Sequence, residues 1–245
     1  MKFEIGTVYS RIYSFLPCNA GALTGLTVLC LAVPTVLLSF IPPLQNAVVI
    51  PFLSSEALTV TTPLSGLPEA LLGAFNLAVL VVFLNTRISG ADFSLSHILR
   101  QGLLYLLPVF ILSVIWTVAT LLGTVVMIIP GIIVALGLSV AIQVYICEAR
   151  KNLIHAVKRS WTLTENYRVA IMFTIIPPLF GLVLLSSIES ALVSPLNNPL
   201  IAALARALTS SLGSILLAVF LFFIYTNLRE VKEGRTPDAT ATVFD

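Results

Sequence analysis

Two histidines are the side chains whose spacing comes closest to a catalytic or ligand-binding pattern. His97 stands three residues before Arg100, and His155 stands three residues before Lys158. An imidazole titrates near neutral pH, so a histidine beside a base could transfer a proton or hold a ligand. Helical spacing places both histidines on the polar faces of short amphipathic segments, where a solvated or headgroup-contacting role is sufficient. We therefore expect no catalytic residue and no metal site at either histidine.

Glu189 and Arg206 form a second candidate site. Both are ionisable, both lie near the same predicted membrane boundary, and a short turn separates their helices. An unpaired charge in hydrocarbon is costly, so pairing is favoured. We expect a structural ion pair that joins the last two spans, with a polar gate or a solute contact as the alternative.

The other residue types that support chemistry are scattered. The three cysteines, Cys18, Cys30 and Cys147, have no close spacing, which gives neither a disulfide framework nor a zinc pattern. The sequence contains no nucleotide-binding loop and no nucleophile–base pattern. A net charge of +2 is too small to indicate a nucleic-acid partner. We expect no enzyme, no metal and no cofactor.

The composition indicates a protein that lies in a bilayer. Hydrophobic residues make up 58% of the chain and charged residues 10%, and the mean hydropathy is +1.05. Soluble domains carry about 25% charged residues. Apolar runs long enough to cross a hydrocarbon core of about 30 Å predict six transmembrane helices, at residues 20–41, 68–86, 103–128, 131–147, 169–192 and 202–227. We predict an all-α membrane protein with one domain over residues 1–228 and a polar cytoplasmic tail over residues 229–245.

The third and fourth spans lie in one uncharged run over residues 102–147, which is too long for a single crossing. Proline and glycine together interrupt a helix and permit a tight reversal. We therefore place the reversal at Pro130 and Gly131.

Basic residues predict the orientation. Six spans put both termini on one side, and of the 13 lysines and arginines only Arg206 falls on the other side. The positive-inside rule then places both termini in the cytoplasm of a multi-pass protein of the cytoplasmic membrane.

Three amphipathic interfacial helices are predicted, each before a pair of spans. They lie around residues 2–16, 94–100 and 149–166, and the first is expected to end at Pro17 and Asn19. In each pair the second span carries small residues four apart, which let helices approach closely. We predict three pseudo-repeats of interfacial helix plus helical hairpin, with the second, fourth and sixth spans at the packed centre.

The third interfacial helix is the most basic. Its predicted apolar side includes Ser160 and Trp161, and its polar side carries Lys151, Lys158 and Arg159. Each base near a membrane surface attracts anionic headgroups by about 1 kcal/mol. We expect these three side chains to contact lipid headgroups, although charge that only sets the topology is an equal alternative.

A family resemblance rests on the stretch from about residue 127 to 167. Ile129-Pro130-Gly131-Ile132, then Glu148, Ala156 and Ser160-Trp161-x-Leu163-Thr164, resembles a pattern of the YciC-like family of bacterial inner-membrane proteins. The same pattern is similar to the membrane domain attached to some glycerophosphodiester phosphodiesterases. The resemblance implies a six-helix inner-membrane protein, and it brings no catalytic residues to this chain.

Three functions remain open on the sequence. The favoured one is a non-catalytic membrane protein that acts through membrane lipids, with anionic headgroups as candidates, or through a membrane-protein partner. A small-solute transporter or channel subunit is the alternative, since transporters also use repeats and broken helices. An intramembrane enzyme is least favoured because no acid–base constellation is evident.

Overall fold

The computed structural model describes residues 3–40, 67–90, 94–148, 152–193 and 198–234. Every regular element in these ranges is helical, and six of the helices are long and apolar enough to cross a membrane. The elements in chain order are α1 (Ile5–Thr27), a π-helical turn (Val28–Ala32), α2 (Val33–Phe40), α3 (Leu67–Ile88), α4 (Leu95–Val126), α5 (Ile128–Gly137), α6 (Ala141–Cys147), α7 (Leu153–Thr164), α8 (Arg168–Val193) and α9 (Pro199–Glu233).

The predicted break at Pro17 and Asn19 is wrong, because α1 passes through both residues. A proline keeps a helical φ and removes one backbone hydrogen bond, here the one to the carbonyl of Tyr13, which lies on an exposed face. The rest of α1 is held by packing on α9, where the rings of Tyr9 and Phe220 meet edge to face with centroids 5.4 Å apart. The first interfacial segment and the first span are therefore one helix.

The second predicted interfacial segment, residues 94–100, is likewise continuous with its span. It forms the first turns of α4, which also runs through Pro108 without ending. Of the three predicted interfacial helices, only α7 is a separate element in the described residues. The threefold pseudo-repeat stays a prediction.

Proline also sits inside α8, where a neighbouring helix compensates for it. Pro178 has no N–H to offer the carbonyl of Thr174, four residues earlier. The Tyr9 hydroxyl donates a hydrogen bond to that carbonyl at 3.0 Å. α1 therefore supplies the donor that Pro178 lacks.

The reversal between the third and fourth spans lies at Met127, three residues before the predicted corner. Met127 is extended, with φ −165° and ψ 152°, and it ends α4 and begins α5. Pro130 then falls in the first turn of α5, where its missing N–H has no helical partner to lose. Gly131 permits close packing, because a Cβ there would lie 2.8 Å from the backbone nitrogen of Thr124 in α4.

The second and sixth spans are the most buried, as the small-residue pattern predicts, whereas the fourth is only slightly more buried than the first, so its place in the packed centre stays a prediction. The buried share of the apolar window is 50% in α3, 39% in α5 with α6, and 56% in α9, against 33% in the first span and 11% in α4 and α8. Asn76 of α3 and Ser214 of α9 meet in this centre, the amide nitrogen donating to the hydroxyl at 3.0 Å. α9 ends at Glu233, beyond the predicted end at Asn227, and residues 235–245 of the predicted tail lie outside the described residues.

Candidate functional site

The fourth span is broken half-way along its length. α5 ends at Gly137 and α6 begins at Ala141, and the three residues between them form turns. The nitrogen of Ala141 bonds to the carbonyl of Leu138 instead of that of Gly137. Such a break leaves backbone carbonyls without their helical partners, which is costly in a membrane protein unless other groups replace them.

Side chains from two other helices donate to these carbonyls. The Ser160 hydroxyl donates to the carbonyl oxygen of Gly137 at 2.9 Å, and the Thr164 hydroxyl lies 3.3 Å from the same atom. The Trp116 indole N–H of α4 donates to the carbonyl of Ala135 at 3.0 Å. Ser160 and Thr164 are both buried. Ser160 and Thr164 of α7 therefore cap the broken end of α5.

Trp161 covers the same break with its ring. A Cβ on Gly137 would lie 2.5 Å from a ring carbon of Trp161, so only glycine leaves room for the indole. The Arg168 guanidinium stacks 4.0 Å from the centroid on the ring, a distance at which cation–π attraction is substantial. We name Gly137, Ser160, Trp161, Thr164 and Arg168 the capped break.

An ionic network lies next to α7. Arg159 contacts the carboxylate of Glu148 at 3.4 Å and also pairs with Glu233 at the end of α9. Arg229 binds the same Glu233 at 3.2 Å. The Glu148 side chain is only 8% exposed, so contacts inside the protein must offset the loss of its hydration. Arg159 is thus held by two carboxylates and positions α7 against α6 and α9.

The first and last described helices meet beside this network. Arg11 of α1 makes two parallel hydrogen bonds with Glu230 of α9, at 2.9 and 2.8 Å. The Lys232 ammonium donates to the carbonyl of Thr162 near the end of α7. Residues 219 positions apart are therefore joined at one end of the bundle, which we name the charged end.

A double-mutant cycle on Arg11 and Glu230 should show coupling of about 1–2 kcal/mol, since bidentate charge-assisted pairs are among the stronger hydrogen bonds. Each alanine substitution should lower the unfolding midpoint in a sodium dodecyl sulfate titration. The double variant should be little worse than either single one. Arg206→Ala is the matched control, because this exposed arginine forms none of the ion pairs among the described residues. Additive effects at Arg11 and Glu230 would contradict direct pairing.

The structure does not bring the predicted pair Glu189 and Arg206 together. Among the described residues, neither takes part in an ion pair; Glu189 is half-buried and Arg206 is exposed. Of the predicted headgroup contacts, Lys158 is exposed on α7, Arg159 turns inward to its carboxylates, and Lys151 lies outside the described residues. His97 and His155 are both exposed.

The predicted signature residues meet as contacts between helices. Ser160 and Trp161 form the capped break, Glu148 pairs with Arg159, and Gly131 touches α4 beside Pro130. The break and the Arg11–Glu230 pair were not foreseen. Gly137 was the one local signal for the break, whereas nothing local indicates a pair between the first and last spans.

Two buried amides lie elsewhere in the centre. Neither amide atom of Gln143 in α6 has a hydrogen-bond partner among the described residues, and the amide oxygen of Asn76 also lacks one. Both side chains are fully buried. In the same ranges no cluster of three or more metal-ligating side chains is found.

Comparison with known proteins adds no relatives to this geometry. No family model matches the chain, and no curated protein and no solved structure matches it either. The structure therefore identifies the protein only as a helical bundle with six candidate membrane-spanning helices.

Proposed function

We propose that this protein is a non-catalytic integral protein of the cytoplasmic (inner) membrane that acts through lipid or protein contacts made by α7. The resemblance to the YciC-like family, carried by Pro130, Gly131, Glu148, Ser160 and Trp161, belongs to the same proposal. Both termini lie in the cytoplasm, and α7 lies at the cytoplasmic interface. The observation that carries the proposal is the exposed face of α7.

α7 uses one face for the bundle and leaves a mixed face free. Ala156, Ser160, Leu163 and Thr164 are buried. On the other side, Ile154 is 65% exposed, and Lys158 and His155 are exposed as well. Trp161 remains 39% exposed although its ring covers Gly137 and stacks with Arg168. Apolar and basic side chains on one helix face suit an interface between hydrocarbon and anionic headgroups, or a groove on a partner.

The orientation rests on charge and on the charged end. The Arg11–Glu230 pair joins the start of α1 to the end of α9, as expected when six spans return the chain to its starting side. Most lysines and arginines of the sequence fall on that side in a six-span topology. The positive-inside rule then supports a cytoplasmic charged end.

A photoreactive amino acid at Ile154 tests the proposal in native membranes. We expect its adducts to contain either one reproducible membrane protein or anionic lipid above its share of the bilayer, because this face is built for a specific contact. Mass spectrometry of the purified adducts identifies the species. The amount of anionic lipid should exceed its bilayer share by about fivefold, the ratio that one basic contact supplies.

Leu184 of α8 is the matched control, since it is an exposed apolar residue on a span rather than on α7. Photoreactive substitution there should yield only bulk lipid. Identical adducts from residues 154 and 184 would overturn the proposal that α7 makes the functional contact.

A small-solute transporter or channel subunit is the second candidate. The broken fourth span favours it, and so does the Gln143 amide, which has no hydrogen-bond partner within the described ranges, because discontinuous helices and polar groups at depth build solute sites in transporters. Flux of neutral solutes into proteoliposomes tests it. Flux that Gln143→Leu abolishes, with the bundle still folded, would favour transport over the α7 proposal.

A further inference from the structure

An apolar groove of about 470 Å³ lies between the first span, α3 and α4. Its walls come from three helical segments: Leu29 and Pro34 of the first span, Leu72 and Phe75 of α3, and Leu103 of α4. The volume falls within the range of about 300–1,000 Å³ typical of ligand pockets. The π-helical turn Val28–Ala32 forms part of the wall, and such turns recur at functional sites.

One cation lies in the lining of this apolar groove. Arg100 is exposed, and it takes part in none of the ion pairs among the described residues. By contrast, four other arginines each contact a carboxylate or an aromatic ring: Arg11, Arg159, Arg229 and Arg168. A free guanidinium at the margin of a hydrocarbon-like surface favours a phosphate, which it can bind with two hydrogen bonds.

The positions of Arg100 on α4 and Leu72 on α3 match the separation between the headgroup of a lipid and its acyl chain. Arg100 stands five residues after the start of α4, which is about 8 Å along the helix at 1.5 Å per residue. Leu72 stands 16 residues before the end of α3, or about 24 Å from that end. The α3–α4 connection joins these two ends, so the arginine lies toward the membrane surface and the apolar wall extends toward the hydrocarbon.

We propose that this groove binds one anionic phospholipid, with its phosphate at Arg100 and an acyl chain along Leu103, Phe75 and Leu72. The proposal rests on the proposed function, for which it names a lipid class and a site separate from α7. Charge complementarity selects an anionic over a zwitterionic headgroup, and the apolar wall selects a lipid over a water-soluble phosphate.

Native mass spectrometry of the detergent-purified protein, titrated with phosphatidylglycerol or phosphatidylcholine, tests the site. We expect one phosphatidylglycerol per chain to bind about fivefold more tightly than phosphatidylcholine, the ratio expected for one arginine near the surface. Arg100→Gln should remove that preference, because it weakens phosphatidylglycerol more than phosphatidylcholine, whose phosphate is balanced by its own choline. Arg100→Lys should retain most of it, which separates loss of charge from loss of fold.

Leu103→Trp and Leu104→Trp form a matched pair on α4. The two leucines are 63% and 65% exposed, yet only Leu103 lines the groove. Leu103→Trp should weaken both lipids at the one-lipid site, whereas Leu104→Trp should weaken neither. Equal effects of the two tryptophans, or equal affinity of the unaltered protein for the two lipids, would overturn the proposal.

The two proposals fail separately. Unchanged lipid binding in Leu103→Trp, with specific adducts still formed at residue 154, would overturn only the groove. Loss of specificity at residue 154, with phosphatidylglycerol still selected through Arg100, would overturn only the role of α7.

Discussion

Gly137→Ala should lower the free energy of unfolding by about 2 kcal/mol. Its added methyl would lie 2.5 and 2.6 Å from two ring carbons of Trp161, well inside contact distance. Overpacking of this kind costs about 1–3 kcal/mol. The Trp161 ring cannot swing away freely because Arg168 stacks on its face at 4.0 Å. A titration with sodium dodecyl sulfate, followed by circular dichroism, measures the loss.

A double-mutant cycle identifies the cause of that loss. If the clash with the indole is responsible, Gly137→Ala in a Trp161→Ala background should cost close to nothing, because the methyl then enters the space that the ring vacates. Gly73→Ala is the matched control, since a Cβ at that helical glycine meets nothing within 4 Å. It should be neutral or stabilising by up to about 1 kcal/mol.

Two results would contradict a capped break held by Trp161. One is a Gly137→Ala variant as stable as Gly73→Ala. The other is a Gly137→Ala loss that persists undiminished in the Trp161→Ala background. Either would mean that α7 does not depend on the close approach of its indole to the end of α5.

The number of spans could be predicted from the sequence because hydropathy is a local property. A long run of apolar residues favours the hydrocarbon core of a membrane through its own composition, independently of the rest of the chain. For the same reason, the prolines wrongly indicated where helices end. Pro17 and Pro178 signal interruption, yet α1 and α8 continue. Tyr13 lies on an exposed face of α1, and the Tyr9 hydroxyl donates to the Thr174 carbonyl, and both features depend on tertiary surroundings.

The candidate site was predictable in part. Ser160 and Trp161 could be singled out by pattern, but their target at Gly137 lies 23 residues or more away and carries no spacing rule. The Arg11–Glu230 pair joins residues 219 positions apart, so no local sequence pattern predicts it. Glu189 and Arg206 show the converse, because a short turn between two helices does not determine which faces of those helices meet.

Gly131→Ala should destabilise the protein by about 3 kcal/mol, the largest single effect that we expect. A Cβ on Gly131 would lie 2.8 Å from the Thr124 nitrogen and 2.9 Å from its Cα, and backbone atoms cannot rotate away as a side chain can. Gly123→Ala should behave similarly, since its Cβ would lie 2.9 Å from the Cα of Gly131. The unfolding midpoint and the yield of folded protein measure both variants.

The contrast with Gly137 gives this prediction its sharpest test. Trimming Thr124 to alanine removes the side-chain methyl near Gly131 but leaves the backbone, so Thr124→Ala should not rescue Gly131→Ala, whereas Trp161→Ala should rescue Gly137→Ala. Gly181→Ala is the control, because a Cβ there meets nothing within 4 Å. Rescue of Gly131→Ala by Thr124→Ala would show that side chains set the distance between α4 and α5. The absence of rescue would show that the two backbones meet directly after the reversal at Met127, which is the reason that this corner requires glycine.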